Sequence, residues 1–150
     1  MSSGTAVAVG LAVTAGLAGA IQAAVMGELG ERVGIVPAVA FSVIVALLCG
    51  LAALLVWERS LAGVRGAVHE PAWLWIGGLM SVFIIFAITV GPPRIGVAAT
   101  IGIVIAGNLV SAAAIDRYGL FGQEVIPLDR WRMLGLLLLA AGAVLSLSRA

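Results

Sequence analysis

The sequence predicts an all-α integral membrane protein with five transmembrane helices. Of its 150 residues, 63% are hydrophobic and only 10% are charged, and the mean hydropathy is +1.22. A soluble domain usually carries about 25% charged residues, so this chain has too little polar material to cover a globule in water. Its charged residues also bound apolar runs that are long enough to cross the bilayer, which takes about 20 residues. We therefore expect one five-helix transmembrane domain over residues 1–150.

The first two spans are predicted at about 4–27 and 33–57. The first uncharged run ends at the charged segment ELGER, and the second ends at ERSLAGVRGAVHEP. No basic residue precedes the first run, which is too long for a cleaved signal. We therefore expect Met1 to begin the mature protein.

The third and fourth spans are predicted at about 72–90 and 93–115. The run that contains them carries one charged residue, Arg94, and is long enough for two helices. Gly91 and Pro92 each precede a proline, which disfavours the helical conformation, and Pro93 suits the first position of a new helix. The motif GPPR is therefore expected to form a turn between the two helices.

The fifth span is predicted at about 131–148, and the aromatic residues support the count of five. With five spans, the N-terminal side of the membrane (side A) also holds the second and fourth connections, and the opposite side (side B) holds the first and third. All four tryptophans fall on side A, as in an interfacial aromatic belt. They are Trp57, Trp73, Trp75 and Trp131.

The arginines give only a small orientation bias. Side A holds five of them and side B holds three, which favours a cytoplasmic side A and N-terminus. They are Arg59, Arg65, Arg117, Arg130 and Arg132 on side A, and Arg32, Arg94 and Arg149 on side B. Such a bias also allows dual topology, in which both orientations are populated.

Several classes of function are excluded by composition. The chain has no lysine, so it has no phosphate-loop lysine, and no basic cluster suggests nucleic acid. A single cysteine, Cys49, excludes an internal disulfide and a cysteine-cluster metal site. His69 lies in a connection, where a surface role is expected. We expect no enzyme activity, no metal site and no cofactor.

Small residues recur every four positions along the first and fourth predicted helices. These rows include Gly16 and Ala20 in the first helix, and Gly102 and Ala106 in the fourth. Small residues at this spacing let helices approach closely in lipid. They indicate either helix packing alone or two helices that slide against each other around a cavity. The leucine-rich fifth helix is expected to be peripheral.

Two amide side chains lie at membrane depth, where no charged residue lies firmly within a span. Gln22 is predicted about 9 Å from side B and Asn108 about 12 Å from side A, at 1.5 Å per residue. Each amide could bond a neighbouring helix, or the two could line a pocket. A second chain inserted upside down would bring Gln22 of one copy to the level of Asn108 of the other. Five hydroxyl side chains are weaker candidates for pocket residues, because each is expected to bond the backbone of its own helix. They are Thr14, Ser42, Ser81, Thr89 and Thr100.

Arg94 is predicted at a helix N-terminus, where a cation opposes the helix dipole and needs an anionic partner. Glu28 or Glu31 of the first connection could form an ion pair with it. Alternatively, Arg94 and the helix N–H groups could bind an anionic ligand group.

Three segments together resemble the YdcZ-type family, the five-helix half-size members of the drug/metabolite transporter superfamily. They are AGLAGAIQAAVMGELGERVG, the block that contains GPPRIGVAATIGIVIAGNLVSAAAIDRYGLFG, and PLDRWRMLGLLLLAAGAVL. The resemblance covers nearly the whole chain. The chain departs from the family pattern at Met26, where asparagine is usual, and at Asn108, where glutamine is usual.

The resemblance implies a small-molecule carrier of the bacterial-type inner membrane, built from two five-helix units of opposite orientation. Alternating access is usually built on inverted repeats, and since the chain shows no internal repeat, a second copy or a related chain is expected to supply the other half. Gln22, Met26 and Asn108 are the expected pocket residues, with Arg94 as a further ligand-binding candidate. The alternative is a non-transporting accessory or scaffold subunit of the membrane.

Overall fold

The computed structural model describes residues 3–127 and 129–147, which form helices joined by short connections. The α-helices are α1 Ser3–Val33, α2 Ile35–Trp57, α3 Ala62–His69, α4 Ile76–Val90, α5 Pro92–Ile95, α6 Val97–Tyr118 and α7 Arg130–Leu147, and two 3₁₀ turns cover Ala72–Trp75 and Leu120–Gly122. The chain divides into two compact units, which are described separately below. One unit comprises Met1–Ala24 and Gly91–Ala150, and the other comprises Val25–Val90.

The membrane fold class is confirmed by the length and composition of the described helices. Within the described residues, four helical segments are long and apolar enough to cross a membrane, namely Gly4–Val33, Ile35–Trp57, Ala72–Ile95 and Val97–Tyr118. A shorter apolar helix, Met133–Ser146, occupies the fifth predicted span. The predicted end of that span at Ser148 lies outside the described residues, as does Arg149. Four candidate spans are therefore found in the described residues, and the count of five stays a prediction.

Large apolar side chains point outward along these helices, as lipid-facing residues do. Leu11, Leu17 and Ile21 of α1 are 65%, 64% and 66% exposed in the single chain. Large contiguous apolar patches are rare on soluble monomers, and they mark surfaces that contact a membrane or a partner protein. The exposed surface therefore supports the same fold class as the composition.

Helix α1 extends six residues beyond its predicted end at residue 27. The segment ELGER is helical, and the Arg32 guanidinium lies 2.7 Å from the Glu28 carboxylate one turn earlier. Pairs at this spacing stabilise a helix by a few tenths of a kcal/mol. The helix ends at Val33 because Gly34 adopts φ 94° and ψ 154°, a conformation essentially restricted to glycine.

The connection between α4 and α6 differs from the predicted turn. Gly91 has helical geometry, with φ −69° and ψ −56°, and α5 begins at Pro92. The prediction that both residues avoid the helical region is therefore wrong. The N–H groups of Arg94 and Ile95 donate to the Gly91 carbonyl at 2.9 and 3.0 Å. These bonds close a helical turn that offsets the steric cost of the prolines. The predicted fourth helix is then interrupted at Gly96, which has φ 80° and ψ 159°.

The second connection contains a helix, α3, that the sequence did not predict. All eight of its residues are exposed, including His69 at its end. Its side chains are polar mainly on one face, and the segment is short. The exposed position of His69 agrees with the expected surface role.

In the Val25–Val90 unit, buried residues concentrate where α1 ends, α2 begins and α4 ends. The buried residues include Met26, Gly30, Ala38, Val39, Ile88 and Thr89. Helices α2 and α4 pack against each other and border an apolar groove of about 480 Å³. The groove lining includes Val39, Val43, Ile44, Val82 and Phe86.

In the other unit, α6 and α7 pack along each other. A methyl group built on Gly102 would lie 3.8 Å from the Cα and Cβ atoms of Ala143, so the small-residue row of α6 faces α7. The exposed leucines of α7 include Leu134, Leu137, Leu138 and Leu145. In α1, residues 4–18 are exposed, including Gly16, whereas Ala20 is half-buried.

Candidate functional site

The two predicted pocket amides both face outward from the single chain. Gln22 lies in the C-terminal half of α1, and Asn108 lies near the middle of α6. Both residues are exposed, and neither side chain makes a hydrogen bond among the described residues. Both helices are membrane-span candidates. An amide that faces hydrocarbon without a partner is costly, about 1–3 kcal/mol by protein mutational data.

Met26 and Arg94 have contrasting surroundings. Met26 lies one helical turn after Gln22 and is only 4% exposed. Arg94 lies on the four-residue helix α5 and is exposed. Thus the structure leaves three of the four predicted residues accessible, and it buries Met26.

The hydroxyl side chains mostly bond their own helices, as the sequence predicted. Thr14 donates to the Leu11 carbonyl at 2.9 Å and Ser81 to the Gly77 carbonyl at 3.0 Å. The buried residues Thr89 and Thr100 donate to the carbonyls four residues earlier, at 2.7 and 2.8 Å. Since their hydrogen-bonding capacity is used locally, these four hydroxyls are weaker ligand candidates than the amides.

Glu28 has a partner within its own helix. Its carboxylate pairs with Arg32 at 2.7 Å, and both side chains are exposed. Such surface pairs contribute little to stability, typically about 0–1 kcal/mol. The ion pair between Arg94 and an acidic residue of the first connection therefore stays a prediction.

Two of the cavities within the units are not lined by any of the predicted site residues. A cleft of about 230 Å³ between α6 and α7 is lined mainly by Leu109, Ala113, Leu136 and Leu139, with Asp116 at one end. Neither this cleft nor the α2–α4 groove is lined by Gln22, Met26, Arg94 or Asn108. The pocket formed by these residues therefore stays a prediction.

One close contact was missed by the sequence analysis. Gly30 near the end of α1 is buried against Thr89 near the end of α4. The first span was predicted to end at about residue 27, so Gly30 was assigned to the connection that follows it. Helical spacing alone could not have named Thr89 as its partner, because spacing does not specify which helix covers a given face.

The chemistry of these groups suits binding more than bond making. Within residues 3–127 and 129–147, no group of three or more His, Cys, Asp or Glu side chains could hold a metal ion. The accessible polar groups at or near the spans include two amides and one guanidinium. Such groups can hydrogen-bond a ligand and can be exposed or covered by helix movement.

Long apolar helices with outward lipid-facing surfaces define a multi-pass membrane protein. Residues 7–145 match the family model DMT_YdcZ, whose description reads "Putative inner membrane exporter, YdcZ". The chain belongs to this family, and the resemblance identified from the sequence is confirmed. This description points to a membrane transporter rather than to an enzyme. Comparison with curated proteins and with solved structures finds no match.

Proposed function

We propose that this chain is one half of a secondary carrier or facilitator that moves a small molecule across the inner membrane. The observation that carries the proposal is the outward exposure of Gln22 and Asn108 on membrane-span helices. Amides at this depth require hydrogen-bonding partners from a second chain or from a ligand. A pocket between two chains would supply both.

The second chain is proposed to be inverted. Gln22 lies six residues before Glu28, about 9 Å along the helix, and Asn108 lies eight residues before Asp116, about 12 Å. In an antiparallel pair, Gln22 of one copy and Asn108 of the other lie within about 3 Å of the same level. In a parallel pair they are separated by roughly 9 Å in a 30 Å core. The antiparallel pair therefore places both amides at one depth.

In this carrier the two compact units act as parts of one five-span domain, and the chain pairs with a second copy or a related chain. Alternating access then follows from movement of the first and fourth spans, α1 and α6, around the shared pocket. Dual topology supplies the inverted copy for a homodimer. If one orientation is fixed, the arginine distribution favours a cytoplasmic N-terminus.

The pocket proposal assigns different roles to its candidate residues. Gln22 and Asn108 hydrogen-bond the ligand, and Met26 lines the pocket in a conformation that uncovers it. Arg94 attracts an anionic ligand group near side B.

The competing function is that of a non-transporting accessory or scaffold subunit. The exposed small residues of α1, such as Gly16, allow another helix to pack closely against α1. Helix packing of this kind is what a scaffold subunit would use. A scaffold needs neither amide to be accessible to a ligand, whereas a carrier needs both.

Flux through reconstituted protein separates the two functions. Purified protein in proteoliposomes is assayed with a panel of radiolabelled metabolites and organic cations. We expect flux that Gln22→Ala and Asn108→Ala each reduce at least tenfold, with assembly unchanged by size-exclusion chromatography. Gln123→Ala is the matched control, because this amide is exposed in a connection outside the helices. The absence of flux across the panel, with a normally assembled dimer, would support the scaffold.

Cysteine cross-linking tests the antiparallel pocket without a known substrate. Cysteines at positions 22 and 108, in a background without Cys49, should cross-link between chains through a short reagent. Cross-links between two copies of position 22 alone would contradict the inverted arrangement.

A further inference from the structure

Gly30 of α1 lies directly against Thr89 of α4 in the Val25–Val90 unit. A Cβ atom built on Gly30 would lie only 2.7 Å from the Thr89 Cγ2 methyl, whereas ordinary van der Waals contact begins at 3.4 Å. Both residues are buried, and Thr89 is 1% exposed. Only glycine fits at position 30 while Thr89 stays in this place.

No hydrogen bond joins Gly30 to the Thr89 side chain. The Thr89 hydroxyl donates to the Ile85 carbonyl of its own helix at 2.7 Å. The nearby charges of α1, Glu28 and Arg32, pair with each other at 2.7 Å. The two helix ends could therefore separate at this contact without breaking either of these polar interactions.

The contact lies beside two other buried residues of the unit, Met26 and Ile88. Met26 lies one turn before Gly30 on the same face of α1, and Ile88 adjoins Thr89. Each of these side chains is 4% exposed. In contrast, residues 76–84 of α4 are exposed. Burial in α4 is thus confined to the end that meets Gly30, the predicted side-B end.

The glycine after α1 supplies a point about which the helix end can move. Gly34 joins α1 directly to α2 with φ 94° and ψ 154°. Gly34 is the single residue between the two helices. Because glycine has no Cβ atom, its backbone rotation is less restricted than that of other residues.

We propose that Gly30 and Thr89 form a gate at the side-B end of the Val25–Val90 unit, closed in this structure, and that its opening exposes Met26 and Ile88 to water. The proposal rests on the proposed carrier function, since it names the contact that parts when the pocket opens to side B. Met26 then becomes available to a ligand only in the open conformation.

A thiol reporter at position 88 tests the gate without any substrate. Ile88→Cys is placed in a Cys49→Ala background, and proteoliposomes are treated with a membrane-impermeant maleimide on both faces. Gly30→Ala should force the contact apart and increase the labelling rate roughly 5- to 30-fold, the shift expected for overpacking of one methyl group. Adding Thr89→Ser removes the opposing methyl, keeps the hydroxyl and should restore the slow rate.

Two controls distinguish an effect at the Gly30–Thr89 contact from a general effect on the labelling rate. Gly50→Ala in α2, where an added Cβ meets nothing within 4 Å, should leave labelling at position 88 unchanged. A cysteine at the exposed position Glu31 should react at the same rate in every gate variant. Equal labelling of Ile88→Cys with Gly30 and with Gly30→Ala would overturn the gate, and so would a double variant that labels as fast as Gly30→Ala.

A disulfide between positions 30 and 89 tests the gate even if the Gly30→Ala variant does not fold. Cysteines at positions 30 and 89 have Cβ atoms at most about 4.2 Å apart, because one carbon–carbon bond adds about 1.5 Å to the 2.7 Å contact, and this is within disulfide range. Oxidation should abolish flux, and a reductant should restore it. Undiminished flux through the oxidised, cross-linked protein would overturn the gate. Absence of flux in the reduced, unlocked protein would instead count against the carrier function.

Discussion

Replacing Gly96 by alanine should destabilise the protein through backbone strain alone. Gly96 has φ 80° and ψ 159°, and an added Cβ atom would meet nothing within 4 Å. The substitution therefore creates no steric clash with a neighbouring element. It does require an L-residue to adopt a conformation that is essentially restricted to glycine.

The size of the change in the free energy of unfolding can be estimated by comparing Gly96 with a second glycine of α6, Gly107. Strain of this kind costs on the order of 1–3 kcal/mol. Gly107 lies inside α6, and an added Cβ there also meets nothing within 4 Å. Gly107→Ala should stabilise the helix by roughly 0.5–1 kcal/mol, because alanine loses less backbone freedom than glycine on folding. The two variants should therefore differ by about 1.5–4 kcal/mol, with opposite signs relative to the parent.

Thermal unfolding of the detergent-solubilised protein, followed by tryptophan fluorescence, measures this difference. For a chain of this length a change of 1 kcal/mol shifts Tm by roughly 2–4 °C. Gly96→Ala should melt below the parent and Gly107→Ala at or above it. Equal melting temperatures for the two variants would refute the assignment of strain to Gly96.

Three further predictions concern the connections. Gly91→Ala should destabilise by about 1–3 kcal/mol, because the added Cβ would lie 2.5 Å from both Oγ1 and Cγ2 of Thr100; Thr100→Ala in the same chain should recover part of the loss in the same melting assay. Arg94→Ala should lower stability if Arg94 pairs with an acid of the first connection, and should instead lower ligand affinity by calorimetry if Arg94 binds ligand; a variant unchanged in both would contradict both roles. Two or three lysines added to the second connection should fix one orientation, reported by cysteine accessibility near the C-terminus, and a parent chain found in a single orientation would contradict dual topology.

The membrane fold class and the approximate positions of four spans were predictable from the sequence. Apolar runs and the absence of charge establish spans by length, and the second span, predicted at 33–57, is observed at Ile35–Trp57. The end of α1 was not predictable in this way. Hydropathy marks where the apolar part of a helix ends. Helix α1 continues beyond that point into the polar segment, where Glu28 and Arg32 form an ion pair one turn apart.

The candidate site was predictable only as a set of residue types at particular depths. Gln22 and Asn108 were recognised because amides are rare in an apolar run, and both are exposed in the structure. The burial of Met26 was not foreseen, since it depends on how the end of α1 packs in its unit. Helical spacing places residues on one face of a helix, but it does not specify which face another helix covers.

The two glycine junctions show why the interruption at Gly96 was hidden from span prediction. Each glycine follows an arginine and an aliphatic residue and precedes an aliphatic residue, in RVGIV and RIGVA. The N–H groups of Gly34 and Gly96 bond carbonyls four residues earlier, at 3.0 and 2.9 Å, and their carbonyls accept N–H groups four residues later, both at 3.1 Å. The hydrogen-bond spacing of an α-helix thus continues across each glycine, while the backbone at the glycine itself is extended and has positive φ. Because apolar residues lie on both sides of Gly96, hydropathy alone predicts one continuous helix across this junction. Arginine, an aliphatic residue and glycine occur in this order at both junctions, a local pattern to which hydropathy is insensitive.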